Sequence, residues 1–382
     1  MQQKPKLLYI VTQGGPWGGA QKYVFDLAYA LKDTFDVTIA VGEPRGQNDL
    51  QKKAKDFGIN VRQLTHLVRP FSPLHDLLTI FELNRLYGEL KPNIVHLNSS
   101  KASILGSLAG QMSNVKCQMS IIYTVHGWVF DEPLSWVKKN FYRLAEKITA
   151  KQKDKIIVLS KLDQDTATNL LSIEQEKIPL IPHGLPPLTL IEKQTARSII
   201  KKNYKFSISD NALWVGTIAN FYPTKGLDIL ISAISECKKD IPNMQFLIFG
   251  DGPERQNLES GIWNLELNDR IHLVGFVPEA AQFLSAFDLF VLPSRKEGFP
   301  YAILEARVAG LPIIAAAVGG VTSLLENYPT ATLVPPNDVQ ALSQALRNFH
   351  TTAPLPSSRL PTPTYEDMVA KTRHLYQTLL KA

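Results

Sequence analysis

The stretch "LFVLPSRKEGFPYAILEARVAGLPIIAAA", Leu289 to Ala317, runs from one apolar segment through a polar loop and a helical pattern to a second apolar segment. "LFVLPS" and "PIIAAA" are short and almost continuously apolar, which suits strands buried on both faces of a parallel sheet. Between them, Pro300 lacks an N–H and has a preset φ, properties of a first helical position, while Gly310 followed by Pro312 suits a helix end. The stretch therefore predicts strand, loop, helix over about Pro300–Ala309, and strand, which is one βαβ unit.

The same alternation extends through the chain. In the first half, strands are expected at "KLLYIVT", "DVTIAVG", "NIVHLN", "SIIYTVH", "KIIVLS" and "IPLIPHG". A second series follows with "LWVGTIAN", "QFLIFGDG", "IHLVGF", "LFVLPS", "PIIAAA" and "ATLVPP". "PHGLPPLTLIEKQ" separates the two series, and its prolines make it a linker. A length of 382 residues exceeds what one core usually organises, roughly 250–300, so two domains are expected. The reading is α/β, with two doubly wound Rossmann-like domains facing across a cleft, residues 1–185 and 186–364. A final helix at about 365–382, with Met368, Leu375 and Leu379 on one face, is expected to pack back on the first domain. Ligands of such folds sit at the carboxyl ends of the strands.

Composition narrows the class. Hydrophobic residues make up 45%, so the chain can bury sizeable cores. The opening residues carry only the five-residue apolar run "LLYIV", too short for a signal peptide or a spanning helix, and export is not expected. Cys117 and Cys237 cannot build a disulfide framework and lack metal-ligand spacing, which suits a reducing, cytoplasmic compartment.

The net charge of +6 is uneven: residues 1–185 hold 23 of the 41 Lys+Arg and 17 of the 35 Asp+Glu, leaving 18 of each beyond. Much of the excess lies in residues 134–155, "LSWVKKNFYRLAEKITAKQKDK". There Val137, Phe141, Leu144 and Ile148 fall at helical spacing under a basic surface. Two readings stay open. One is an ordinary amphipathic helix packed on its own domain; the other is a peripheral contact with an anionic membrane on its inner face, or with a phosphorylated acceptor. Nucleic acid is not expected, since no binding motif accompanies the charge.

The opening stretch also predicts chemistry. Gly298, Phe299 and Pro300 lead into a helix N-terminus, whose N–H groups and dipole make a seat for phosphate. Glu305 lies about 7.5 Å along the helix axis and Glu297 lies on the other side, in the loop. A ligand with a diphosphate between two hydroxyl-bearing ends fits this spacing, as a nucleotide-sugar does. Glu305 would then hold the ribose and Glu297 the hydroxyls of the donor sugar. A departing diphosphate needs a cation, and Lys225 in "NFYPTKGLDILISAI" sits in a loop between strand and helix; Arg295 is a second cation, or pairs with Glu297.

In the first half, Gly18 and Gly19 close the glycine-rich "TQGGPWGG" and open a helix, leaving N–H groups for an anion. The spacing is not Gly-x-Gly-x-x-Gly, so a nicotinamide cofactor has little support. His126 in "YTVHGWVF" ends a strand on the ligand side, where it can meet the donor sugar or phosphate, or serve structure alone. His183 receives no chemical role.

Together, "GGAQKYVFDLA", "VHGWVF", "IIVLSK", "PTKGLDILISA", "FGDGPERQNLE", "LVGFV", "FDLFVLPSRKEGFPYAILEA" and "LVPPND" resemble, in order and over nearly the whole chain, the family 4 glycosyltransferases of the GT-B fold. The resemblance implies a retaining transfer from a nucleotide diphosphate sugar; a UDP-sugar is expected as donor, and the basic first half suggests a glycan or lipid-linked acceptor. A front-face mechanism with no further cofactor is the working expectation; the resemblance itself implies no bound metal. It assigns Glu297 and Glu305 as the paired acids, Lys225 as the phosphate cation, Gly19 as a phosphate-facing amide and His126 as the residue beside the donor sugar. The base is expected at backbone groups near Phe276 and Val277. Asn220 stands where the family commonly carries an arginine, and Thr322 and Ser323 stand where it often shows Pro-Glu. Alternatives are a sugar-nucleotide epimerase or a phosphorylase of the same architecture, and a non-catalytic sugar-nucleotide or glycan-binding protein.

Overall fold

The structure is a computed structural model that describes residues 3–43, 48–115, 118–132, 134–204, 208–209, 211–349 and 362–381. Cys117 and most of the proline-rich "TTAPLPSSRLPTPTYED" lie outside the described residues. The chain divides into two compact units, Met1–Gly184 with Tyr365–Ala382, and Leu185–Thr364.

In the first unit, β1 (Lys6–Val11), β2 (Asp36–Val41), β3 (Asn60–Gln63), β4 (Ile94–Leu97), β5 (Ser120–Val125) and β6 (Lys155–Val158) form one parallel sheet of order β3-β2-β1-β4-β5-β6. Winding outward from β1 in both directions creates a switch point at the carboxyl ends of β1 and β4. Successive residues serve opposite faces. Leu8 and Ile10 join Val95, Leu97, Ile121 and Tyr123 in one core, and Leu7, Tyr9 and Val11 join Ile94, Ile122 and Ile157 in the other. Both faces are covered, which is why these strands read as unbroken apolar runs.

The second unit repeats the winding. β7 (Leu213–Ile218), β8 (Met244–Phe249), β9 (Ile271–Gly275), β10 (Leu289–Leu292), β11 (Ile313–Ala316) and β12 (Ala331–Val334) pair in parallel in the order β12-β11-β10-β7-β8-β9. Its switch point lies between β7 and β10.

Several expectations need correction. "IPLIPHG" is not a strand: Leu180 makes a single bridge to Val158, and Pro179 and Pro182 lack the N–H groups that a ladder needs. β3 goes unpredicted because "NVRQ" is largely exposed at the sheet edge and has no apolar run. The helix begins at Tyr301, with Pro300 as its N-cap in an extended conformation. The Trp136–Ala150 helix is not an ordinary amphipathic helix packed by its apolar stripe; Glu146, Thr149 and Ala150 are its buried residues, and the stripe is exposed.

The C-terminal helix, Tyr365–Leu379, belongs to the first unit. Met368, Val369 and Tyr376 are buried in the core with Tyr9 and Val11, and Leu375 and Leu379 pack beside them. The Tyr376 hydroxyl lies 3.1 Å from that of Tyr9 and also bonds His96 Nδ1.

Candidate functional site

The loops leaving β7 and β10 meet at the switch point of the second unit. The β7 loop passes through Asn220 and Phe221 to a short turn at Pro223–Lys225, and the Leu227–Cys237 helix follows. The β10 loop runs from Pro293 to Pro300 and enters the Tyr301–Val308 helix. Close packing fixes the two together. Gly226 has φ +62°, and a Cβ there would fall 2.2 Å from the Pro293 carbonyl oxygen. Gly319, at φ +48°, touches the same loop: its added Cβ would lie 1.8 Å from the Glu297 carbonyl oxygen. Any other residue at either position would push the β10 loop away.

This packing brings Lys225 and Glu297 together. Lys225 Nζ donates to Glu297 Oε1 at 2.7 Å, and the buried Ser294 hydroxyl donates to the same oxygen at 2.6 Å. Lys225 and Glu297, expected from the sequence in separate tasks, share one contact here, and Ser294 joins them without a sequence signal of its own. Gly298, Phe299 and Pro300 are buried between this pair and the helix, and Pro300 supplies no side-chain oxygen to its first N–H groups. Glu305 is half-buried one turn into that helix.

Arg295 does not pair with Glu297. Its guanidinium grips both carboxylate oxygens of Asp228, at 2.8 and 2.6 Å, and also donates to the Pro223 carbonyl and to Asn337 Oδ1, each at 2.6 Å. The Arg295 backbone N–H reaches the Thr224 carbonyl at 2.8 Å. Arg295 therefore straps the Lys225 loop to the Glu297 loop, and its charge is spent on Asp228. Burial alone would raise the Asp228 carboxyl, but the hydrogen bonds and charge of Arg295 outweigh it and hold that group below its ordinary range. Asn220 is half-buried where the chain leaves β7. Phe276, exposed, and Val277 follow β9 at the carboxyl edge of the same sheet.

The first unit gathers the remaining candidates at its own carboxyl ends. Gly18 is the N-cap of the Gly19–Leu31 helix, with no side-chain cap, and Gly19 is exposed. His126 follows β5 and is half-buried, with the Tyr23 ring edge-on at 5.1 Å and the His183 ring at 5.4 Å. Its Nε2 lies 3.5 Å from Asn98 Oδ1, just beyond β4. Beneath it, His96 Nε2 meets the Thr124 hydroxyl at 2.6 Å, and Thr124 meets the Tyr23 hydroxyl at 3.1 Å. Burial pushes His96 and His126 down to about 3, so both rings are neutral near pH 7. His183 thus packs directly on a candidate site residue, a juxtaposition that one histidine before a linker could not reveal. Asn98 carried a readable signal, since it ends a strand at the switch point.

Comparison with known proteins places this geometry. Residues 17–187 match the model described as Glycosyltransferase Family 4, and residues 199–359 match Glycosyl transferases group 1. An Escherichia coli UDP-Gal:alpha-D-GlcNAc-diphosphoundecaprenol alpha-1,3-galactosyltransferase is 30% identical over 318 residues, covering 79% of this chain and 80% of that protein. The chain belongs to glycosyltransferase family 4. Among solved structures, Anabaena HepE in complex with UDP and glucose superposes with a TM-score of 0.79, 21% identity and coverage of 98% of this chain and 100% of that one. Sucrose-phosphate synthase from Thermosynechococcus elongatus gives 0.77, 20% identity, and 99% and 100% coverage. Both likenesses establish the GT-B type of fold. Within this glycosyltransferase, Arg295 is held by Asp228, and Lys225 is the cation that meets Glu297.

Proposed function

We propose that this glycosyltransferase moves a hexose from a UDP-sugar to a hydroxyl of a glycan or lipid-linked acceptor, with retention at the anomeric carbon and without a metal. The Lys225–Glu297 pair carries the reading, because it stands at the switch point beside the entrance to the Tyr301–Val308 helix. The 30% identical E. coli relative supports donor and acceptor class, since its name states a UDP-linked galactose and a diphosphoundecaprenol-linked sugar.

The diphosphate sits against the helix N-terminus, where N–H dipoles and Lys225 take up charge as the bond breaks. Lys225 has three N–H donors, so it keeps its bond to Glu297 Oε1 while another meets a phosphate oxygen. Glu297 Oε2 then faces the sugar hydroxyls and Glu305 the ribose. The bond from the anomeric carbon to the phosphate oxygen breaks. The acceptor oxygen bonds to that carbon on the same face, and its proton passes to the departing phosphate oxygen. In the first unit, the neutral His126 ring can donate or accept a hydrogen bond without adding charge, and the helix opening at Gly19 has no side-chain cap on its N–H groups.

The test is turnover of UDP-galactose with a synthetic diphospholipid-linked N-acetylglucosamine in the presence of EDTA, followed by proton NMR of the product. The expected result is an α-linked disaccharide and free UDP. A β-linked product, or turnover only when metal is restored, overturns the corresponding part.

A further inference from the structure

The Trp136–Ala150 helix is mounted with its apolar side outward. Glu146, Thr149 and Ala150 face the unit, where Lys153 Nζ pairs with Glu146 at 3.1 Å and donates to the Thr149 hydroxyl at 2.8 Å. On the opposite side Val137, Phe141, Leu144 and Ile148 are 68%, 52%, 59% and 51% exposed, and Trp136 is 77% exposed. At about 100° per residue these four form one narrow stripe roughly opposite Glu146. Lys138 and Lys147 flank the stripe and Lys151 follows it, all exposed. The helix's one acid is Glu146, turned inward, so its outer face holds only apolar groups and cations among its charged and large side chains.

A second element enlarges this surface. Phe71 and the Pro73–Leu90 helix expose Phe71, Leu74, Leu77 and Phe81, the last three at spacings of three and four. The Phe71 ring stands edge-on to Phe141 at 6.0 Å, so the two stripes meet. Asp76, at the start of that helix, is paired with Lys101. Nine large apolar side chains gathered in this way exceed the single exposed residues that an ordinary surface carries.

We propose that this two-helix surface docks on an anionic lipid bilayer. The helices lie along the interface, their apolar side chains enter the boundary between headgroups and acyl chains, and Lys138, Lys147 and Lys151 extend to lipid phosphates. Charge decides the occupant: a second copy of this chain would set lysines against lysines, whereas an anionic bilayer complements them. No helix among the described residues is long and apolar enough to cross a membrane, so contact is from one side. The inference stands on these two helices and is independent of the donor chemistry.

Vesicle flotation tests it with the full-length protein. The protein should float with vesicles of phosphatidylcholine and phosphatidylglycerol, and at least about tenfold less with phosphatidylcholine alone, because each lysine near an anionic surface contributes about fivefold. Phe141→Ser with Leu144→Ser should abolish flotation. Lys138→Gln, Lys147→Gln and Lys151→Gln together should remove the preference for anionic lipid. Circular dichroism melts and turnover of a water-soluble acceptor should be unchanged in both variants, since neither touches the candidate active site. Wild-type protein that stays in the aqueous phase, or floats equally with both vesicles, overturns the proposal. So does a dimer in sedimentation that Phe141→Ser dissociates while flotation persists. Failure of the sugar-transfer reading would appear separately, as flotation without turnover.

Discussion

At the scale of single residues, Lys225 and Glu297 matter as a pair. Each is an ordinary loop residue until the two loops leaving β7 and β10 are packed together, and only then does one oxygen receive both Lys225 and Ser294. The segment "SRKEGFP" showed where an acid and a helix start coincide, but not that the neighbouring arginine is turned to Asp228. Side-chain direction depends on a partner 67 residues away, which no local spacing encodes. Buried histidines give a prediction at this scale. His96 is held near 3 in the folded state against an ordinary 6.5, so between those values the unfolded chain binds a proton that the folded chain does not. Stability should therefore fall as pH drops from about 6.5 towards 3, by up to about 1.4 kcal/mol per pH unit for each such histidine. Denaturant titrations from pH 7 to 4 should show this slope, and His96→Gln should reduce it, leaving the part that His126 contributes.

At the scale of elements, the sheets were legible because strands covered on both faces must be apolar throughout. "LLYIV" and "LFVL" declare themselves for that reason, and "NVRQ" does not because β3 is an exposed edge. "IPLIPHG" misled because its apolar residues resemble a strand while its prolines refuse the hydrogen bonds. The Trp136–Ala150 helix stayed open between two readings for a different reason: the period of its stripe is readable, but a period cannot say which face is inward. That decision was made by the Lys153–Glu146 pair beneath it. The contact of Gly319 with Glu297 gives the test for this level. Gly319→Ala forces a Cβ against the Glu297 carbonyl oxygen at a positive φ, a strain of about 1–3 kcal/mol. A lowered melting temperature and a raised KM for the donor should follow together, because the displaced loop carries Glu297.

At the scale of the molecule, two windings of the same strand order explain why the sequence reads as one architecture stated twice. The chain does not simply end after the second statement. Tyr365–Leu379 belongs to the first unit, and Tyr376 closes a buried line of hydroxyls and imidazole through His96 and Thr124 to Tyr23, which packs on His126. A chain stopped after Thr364 should lose several kcal/mol of stability, since Met368, Val369 and Tyr376 leave the core and His96 Nδ1 loses its partner. Limited proteolysis of the truncated and full chains should show earlier loss of the first unit in the truncated one.

The central claim is that Lys225, Glu305 and the start of the Tyr301–Val308 helix hold the nucleotide diphosphate. Isothermal titration of UDP into the full-length protein, Lys225→Ala and Glu305→Ala measures this directly. Each substitution should weaken UDP at least about tenfold, or 1.4 kcal/mol, with melting curves showing the fold intact. UDP binding to Lys225→Ala as tightly as to the unsubstituted protein would contradict the account.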